Sequence, residues 1–499
     1  MKVLSAENIR KLDAYTIEEK PISSIDLMEK ASEVFTNYFI KRFKKKKNIV
    51  IFCGIGNNGG DGLAVSRLLL KKGFKVKTFI IEFSGNYSID FKTNLIRLKE
   101  TPNADIEIIK ENKKLDFSNF NMIIDAIFGS GISRPIEGFT KDIIIQINNS
   151  HLPIVAIDIP SGLSCDKYLD SEKIEATSTL SFELPKLSFL LPENKQYVGD
   201  WSFRSIGLSQ TFIANCKTFF YYTDKKAAKN LIRSRKQFSH KGSNGHSLII
   251  AGKLGCMGAA LLATKACVTS GSGLTTAHVP KCGLDILQIS IPEAMVSVDE
   301  NEAIIAEIKV PPKVNAIGIG PGLGKDANTK NALSKLLKAT SFPLVIDADA
   351  LNIIAENKAL LNNISPNSIL TPHPKEFERL VGKWKHDYEK LELLQRFSKQ
   401  HQLILVLKGA FTAIGLPSGE VHFNSTGNPA LATGGSGDVL TGIITGLLAQ
   451  SYKPNEAAIL GVFLHGLAAD LRQKKTSSER MMASEIIDFL GKAFEKILK

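Results

Sequence analysis

No two cysteines of this chain are spaced C-x-x-C. The six stand at positions 53, 165, 216, 256, 267 and 282 of 499 residues, a pattern that argues against both a zinc site and a disulfide framework. They read as core or spectator thiols of a protein kept in a reducing cytosol. Long hydrophobic runs are also lacking: nothing approaches the roughly 20 uncharged apolar residues of a membrane span. The opening MKVLSAENIRKLDAY carries charges where a secretory signal needs an apolar stretch. A cytoplasmic protein with no membrane partner is expected. No tandem repeat is evident. Acidic residues are in deficit, 50 against 63 basic, for a net charge of +13. The most concentrated stretch, KRFKKKKN at 41–48, has no companion basic cluster with interleaved aromatics. It reads as a solvated helix end before a buried strand, not as a nucleic-acid surface. Anionic small molecules remain the partners that a basic surface attracts.

What is present is α/β alternation, twice. At about 100 to 200 residues per domain the length suggests two to four domains. After helical patterns at 5–20 and 23–43 come NIVIFC, GLAVSRLLLKKG, KVKTFIIE, NMIIDAIFG, TKDIIIQINN and LPIVAIDIP. Apolar strands alternating with helices imply a parallel sheet covered on both faces. Near 170–213 the texture changes to prolines and short extended runs, as at a sheet edge. Alternation restarts at HSLIIAG, residue 246, and continues to a helix-rich end. Two domains are expected, 1–213 and 222–499.

Residues 53–62 read CGIGNNGGDG after a strand and before a helix. Gly54, Gly56 and Gly59 fit G-x-G-x-x-G, and Glu82 ends the next strand where a ribose-binding acid would stand, so a Rossmann dehydrogenase is one reading. Asn57, Asn58 and Asp61 exceed what a pyrophosphate turn requires; they suggest ribose, amide or cation contacts. IIDAIFGSGISRP puts Asp125 at a second strand end, followed by a glycine turn and Arg134. AIDIPSG puts Asp158 at a third, with Ser161 beyond. Ligands of parallel α/β sheets gather at carboxyl strand ends, so three acids there describe one pocket, although any one of them could cap a helix.

GNNGGDG, DAIFGSG and AIDIPSG, in this order, resemble the epimerase domain of the bifunctional NAD(P)H-hydrate repair enzymes, and the resemblance runs on through SFELPKLSFLL and YVGDWSFRSIGLS. It implies a Rossmann-like three-layer α/β/α domain. It further implies that Asn57, Asn58, Gly59, Gly60 and Asp61, then Gly129, Ser130, Gly131, Ile132, Ser133, Arg134 and Pro135, and Asp158 bind hydrated NADH or NADPH. Asn58, Asp125 and Ser161 would hold potassium. Asp158 or a close neighbour would handle the proton while the C6 hydroxyl changes face.

In the second half no Walker A loop occurs; GPGLGKD at 320–326 has Asp326 where Ser or Thr should follow the lysine. Phosphate must be managed otherwise. VIDADALNII puts Asp347 and Asp349 at a strand end. TPHPKEF holds His373 between two prolines, which favours a ligand contact. LVLKGAFTAIG ends a strand at Lys408 and Gly409. NPALATGGSGDVLTG, 428–442, then runs glycines into a helix, whose amides and dipole suit phosphate. Its acid, Asp438, is either a helix cap or a catalytic base.

These pieces resemble the ribokinase-like superfamily and, within it, the ADP-dependent dehydratase domain of the same repair enzymes. The resemblance implies that Asp438 takes the proton of the substrate hydroxyl as it attacks the phosphoryl group. Elimination of phosphate from the S form then restores NAD(P)H. Ala259, Gly322, His373 and Asp438 would touch the hydrate. Lys408, Gly409, Ala410, Phe411, Thr412 and Gly437 would hold ADP, the phosphoryl donor, with Mg2+. A homo-oligomer is expected. Ser436 stands where Thr is usual and Lys375 where Gly is commoner, and neither change threatens the chemistry. The rival is a ribokinase-like small-molecule kinase of the hydroxymethylpyrimidine-kinase type, fused to a non-catalytic nucleotide-binding domain; TPHPKEF and the partner domain favour repair.

Overall fold

The computed structural model describes residues 1–476 and 480–499. The chain divides into two units, Lys2–Thr218 with His386–Tyr388, and Phe219–Lys385 with Glu389–Lys499 and Met1. The junction thus falls between Thr218 and Phe219. A strand, Phe220–Thr223, already belongs to the second unit, two residues before the expected start at 222.

In the first unit seven strands lie in the spatial order Asp105–Ile109, Lys75–Ile81, Asn48–Cys53, Met122–Ala126, Ile154–Ile157, Ser178–Phe182 and Asp200–Arg204. Every pairing is parallel. The chain order reverses between Asn48–Cys53 and Met122–Ala126, which opens a crevice beyond their carboxyl ends. Helices cover the sheet because its β-branched strands are apolar on both faces, and two separate clusters form, one around Phe35, Ile51 and Leu63, the other around Phe52, Ile123 and Ile143. KRFKKKKN does end the helix Ser24–Phe43, with Lys44 to Lys47 exposed before the buried strand.

The second unit repeats the device. Its sheet runs Phe220–Thr223, Val421–Asn424, Ala413–Gly415, Ile404–Leu407, Ile369–Leu370, Leu344–Ile346, Ala316–Ile319, His246–Ile250, Leu274–Val279 and Met295–Val298. Order reverses between His246–Ile250 and Ala316–Ile319, and the strands from Ile404–Leu407 to Met295–Val298 are parallel. Ala413–Gly415 pairs antiparallel with both neighbours, a departure from the expected all-parallel sheet. The five residues from Lys408 to Thr412 are too few for a crossover, so the chain can only turn back. Helices Met257–Thr269 and Ser436–Ala449 run parallel at van der Waals distance. Among the described residues no helix is long and apolar enough to cross a membrane, and all six cysteines are free.

Candidate functional site

The glycine loop after Asn48–Cys53 is shaped by close approach. A Cβ on Gly54 would fall 2.0 Å from the Ile127 carbonyl oxygen, one on Gly59 1.8 Å from that of Gly54, and one on Gly62 2.6 Å from Cys53 Sγ. Gly56 faces open space. The helix Asn57–Lys71 therefore starts directly over the crevice, with no side-chain cap on its first amides. Beyond it lies a cavity of 1010 Å³ lined by Asn57, Asn58, Asp61, the whole run Gly129 to Pro135, and Asp158. Gly59 and Gly60 lie buried behind this wall, against Gly54 and Met28. Glu82 does not reach it; its carboxylate is bonded to the Tyr87 hydroxyl and to Lys110 Nζ at 3.0 Å. The ribose-acid expectation of the dehydrogenase reading is not met.

Asp158 is held in a left-handed conformation, φ 64°, a strain of about 1–3 kcal/mol that surrounding structure must impose. Its Oδ1 accepts from the Phe182 amide at 2.9 Å, the Ser181 hydroxyl at 3.2 Å and Lys186 Nζ at 2.9 Å. Oδ2 takes none of these and is left for the cavity. Lys186 is 1% exposed; burial, the largest single influence, works against its ammonium, but the Asp158 charge and hydrogen bond together with the charges of Cys165 and Asp13 outweigh it and hold its pKa above the ordinary value. For Asp61 burial first, then the charges of Asp158 and Asp13, hold the carboxyl well above the usual range. Two members of this group, Asp13 and Lys186, also line the cavity, and neither was picked out from the sequence. A lysine inside the apolar run LPKLSFLL was the available signal for the second.

Beneath the cavity, Asp125 is wholly buried. Its Oδ1 accepts from the Ser161 hydroxyl at 2.6 Å and the Ile127 amide at 3.2 Å, and its Oδ2 from the Ser161 amide at 2.7 Å. Burial pushes its pKa up to about 6 against those bonds. Asn58 donates through Nδ2 to the Ile157 carbonyl at 3.0 Å, while its Oδ1 is buried with no donor. An orphaned amide oxygen and a buried carboxylate, whose hydrogen bonds come from neutral groups only, fit a monovalent cation: the first lacks a partner and the second a countercharge.

In the second unit the crevice loops are again glycine-built. A Cβ on Gly320 would lie 1.9 Å from the Asp347 carbonyl oxygen, and one on Gly322 2.9 Å from that of Cys256 and 3.1 Å from Ala259 Cβ. Gly322 and Ala259 are thus neighbours. The Gly324 amide donates to Asp349 Oδ2 at 2.8 Å. Asp347 bridges two groups, Lys408 Nζ at 2.9 Å and the Thr441 hydroxyl at 2.8 Å. A Cβ on Gly437 would sit 3.4 Å from Lys408 Nζ, so this cation stands over the start of the helix Ser436–Ala449. Lys408 to Thr412 form a turn closed between Gly409 and the Thr412 hydroxyl, at 3.0 and 3.3 Å.

The helix Ser436–Ala449 has Gly435 as its N-cap, φ 86°, and no side chain caps it. Among the described residues the amides of Gly437 and Asp438 bond to no protein group, so two N–H donors at a helix N-terminus are open to an anion. Asp438 caps nothing. Burial, then the charge of Asp347, pushes its carboxyl up to about 6, with Lys408 opposing. His373 has a structural duty as well: its Nδ1 accepts from the Lys375 and Glu376 amides at 3.1 and 3.4 Å, capping the helix Pro374–Val381. Burial and the nearby Lys408 hold its pKa low, and because Nδ1 accepts, Nε2 is the ring nitrogen that carries a proton.

Comparison with known proteins covers both units. The family described as YjeF-related protein N-terminus matches residues 24–188, and NAD(P)H-hydrate dehydratase matches 247–492. The bifunctional NAD(P)H-hydrate repair enzyme of Moorella thermoacetica is 35% identical, over 98% of this chain and 96% of its own length. That of Coxiella burnetii is 32% identical over 97% of each. Among solved structures, an ADP/ATP-dependent NAD(P)H-hydrate dehydratase from Bacillus subtilis, co-crystallised with ATP and Mg2+, covers 56% of this chain and 98% of its own, at 30% identity and a TM-score of 0.50. Similar end to end to these relatives, with a family match in each half, the chain belongs to the bifunctional NAD(P)H-hydrate repair enzymes.

Proposed function

We propose that the first unit interconverts the R and S hydrates of NADH and NADPH in the Asp158 cavity and that the second dehydrates the S form with ADP at Asp438. The observation that carries the second half is Asp438 itself: a half-buried carboxylate that caps nothing, beside the Lys408–Asp347 pair and two open helix amides. Proton removal by Asp438 lets the C6 oxygen attack phosphorus, while Lys408 and the amides of Gly437 and Asp438 receive the charge of the transferring group. The C6 hydroxyl becomes a phosphate ester. Phosphate then departs with the C–O electron pair as a proton leaves C5, and the ring double bond returns. Ala259 and Gly322 form the ring-facing wall, with His373 Nε2–H a donor to the hydrate. Lys408 to Thr412 and Gly437 hold the nucleotide, whose Mg2+ would neutralise phosphate charge. Asn57 to Asp61 and Gly129 to Pro135 seat the hydrate in the first unit. Potassium on Asn58, Asp125 and Ser161 would supply a fixed positive charge under the cavity. Free thiols fit action in the reducing cytoplasm, and a homo-oligomer belongs to the same reading.

The test is recovery of reduced-nicotinamide absorbance from hydrated NADH. Recovery is expected with ADP and absent without nucleotide. Failure with every nucleotide, together with phosphorylation of a hydroxymethylpyrimidine, would replace the dehydratase by the kinase alternative.

A further inference from the structure

Asp13 lies outside every motif that places the chain in its family. It sits on the helix Ala6–Glu19, which starts at a Ser5 cap accepting from the Asn8 amide at 3.2 Å. Two long-range bonds pin that helix. The Ala6 amide donates to Asp166 Oδ2 at 2.9 Å, and the Thr16 hydroxyl, which accepts from the Ser209 amide at 3.0 Å, also donates to the Leu12 carbonyl at 2.7 Å. Held so, the helix turns Asp13 into the cavity that Asp61, Asp158 and Lys186 also line. Among the described residues no group donates a hydrogen bond to its carboxyl. A half-buried acid left without a partner costs stability, and in a substrate cavity it marks a functional group.

The chemistry of the proposed epimerisation, on which this inference rests, asks for such a group. Inverting C6 requires one of its bonds to break and re-form. The ring nitrogen can expel the hydroxyl: the C6–O bond breaks, its pair leaves on oxygen, and C6=N+ forms from the nitrogen lone pair. Oxygen departs as water only if an acid supplies a proton. Water then adds to the other face, nitrogen recovers its pair, and the surplus proton passes to a carboxylate. No net proton is gained or lost. One group must give a proton and another must take one, and a single aspartate serves poorly on both faces of a ring.

We propose that Asp13 is a second catalytic residue of epimerisation, exchanging a proton with the C6 oxygen from the helix wall of the cavity while Asp158 acts from the strand-end wall. Burial and the Asp158 charge push Asp13 up to about 7, with Lys186 opposing, so near neutrality it is available in both forms. Asp61 is likewise held above its usual range, by burial first and then by the charges of Asp158 and Asp13. The charged groups facing Asp13 are Asp61, Asp158 and Lys186, with Arg10 on its own helix and Arg134 and Glu137 on the cavity rim.

The experiment follows R and S exchange of NADH hydrate by chromatography, without nucleotide, on the full-length enzyme. Asp13→Asn is expected to slow exchange by about 10²-fold or more, with a cooperative unfolding transition of the first unit kept as the check on folding and ADP-dependent dehydration of the S form unchanged. Wild-type exchange should fall as pH rises through about 7, because an acid is lost. That limb should vanish in Asp13→Asn and persist in Asp13→Glu. Exchange by Asp13→Asn within about threefold of an active wild type, or a slowed rate that keeps the wild-type limb, overturns the proposal alone. A wild type that leaves the hydrates unexchanged overturns the epimerase reading and this proposal together.

Discussion

Asp438 shows how a residue left open by its sequence is narrowed by its surroundings. The sequence left it as cap or base, and the structure removes the cap: Gly435 holds that position and no side chain serves it. Asp438→Asn therefore leaves the open amides and Lys408 in place, so nucleotide binding by calorimetry should be near wild type. Dehydration should fall by about 10²- to 10⁴-fold, the range for loss of a positioned base. Because the base must be ionised, wild-type kcat/KM should rise with pH through about 6 and level off above. A wild-type rate in Asp438→Asn would pass the role to another residue, with His373 the first to test. Residues at strand ends, Asp125, Asp158, Asp347 and Lys408, were legible because motif and topology point the same way there. Asp13 was not, since an acid in an amphipathic helix is ordinarily a solvated one, and only the pinning of that helix by Thr16 and Ala6 aims it inward. His373 was read for ligand contact alone, whereas the prolines that fix it also serve a helix cap through Nδ1.

At the scale of elements, glycines set the spacing that the site depends on. Helices Met257–Thr269 and Ser436–Ala449 approach so closely that a Cβ on Gly442 would lie 2.1 Å from the Ala263 carbonyl oxygen, and one on Gly446 2.0 Å from Ser270 Oγ. The obstacle at Gly442 is backbone, which cannot rotate away. Gly442→Ala should then destabilise the second unit by about 1–3 kcal/mol, seen as a lower urea midpoint with the slope kept. Dehydration should weaken with it, because Asp438 rides on the displaced helix, whereas hydrate exchange in the first unit should hold. An unchanged midpoint would mean that the helices separate at no cost. Such packing glycines cannot be told from loop glycines by pattern alone. The alternation of apolar runs gave both sheets, yet it passed over Asp105–Ile109, a short edge strand interrupted by Asp105 and Glu107, and the short antiparallel strand Ala413–Gly415. Period signals fail for strands that short.

On the scale of the whole molecule, each half uses the same device, a sheet whose strand order reverses beside the first strand of its α/β run and whose glycine loops line the crevice beyond. One crevice carries an acid cluster with a buried lysine, which suits proton exchange. The other carries a cation over open amides, which suits phosphoryl transfer. The two chemistries are complementary because a dehydratase that accepts one hydrate strands the other unless the two interconvert. Given both hydrates and ADP, wild type should return the whole mixture to reduced cofactor. Asp158→Asn removes a proton acceptor while leaving the second unit intact, so its recovery should be biphasic: a fast phase equal to the starting share of the S form, then a phase at the spontaneous rate of interconversion. The length of the fast phase, followed at the absorbance of the reduced ring, is the decisive quantity, since its rate belongs to the second unit and a lost epimerase only truncates it. Complete monophasic recovery by Asp158→Asn would show that exchange needs no base at this position and would return the assignment to Asp61.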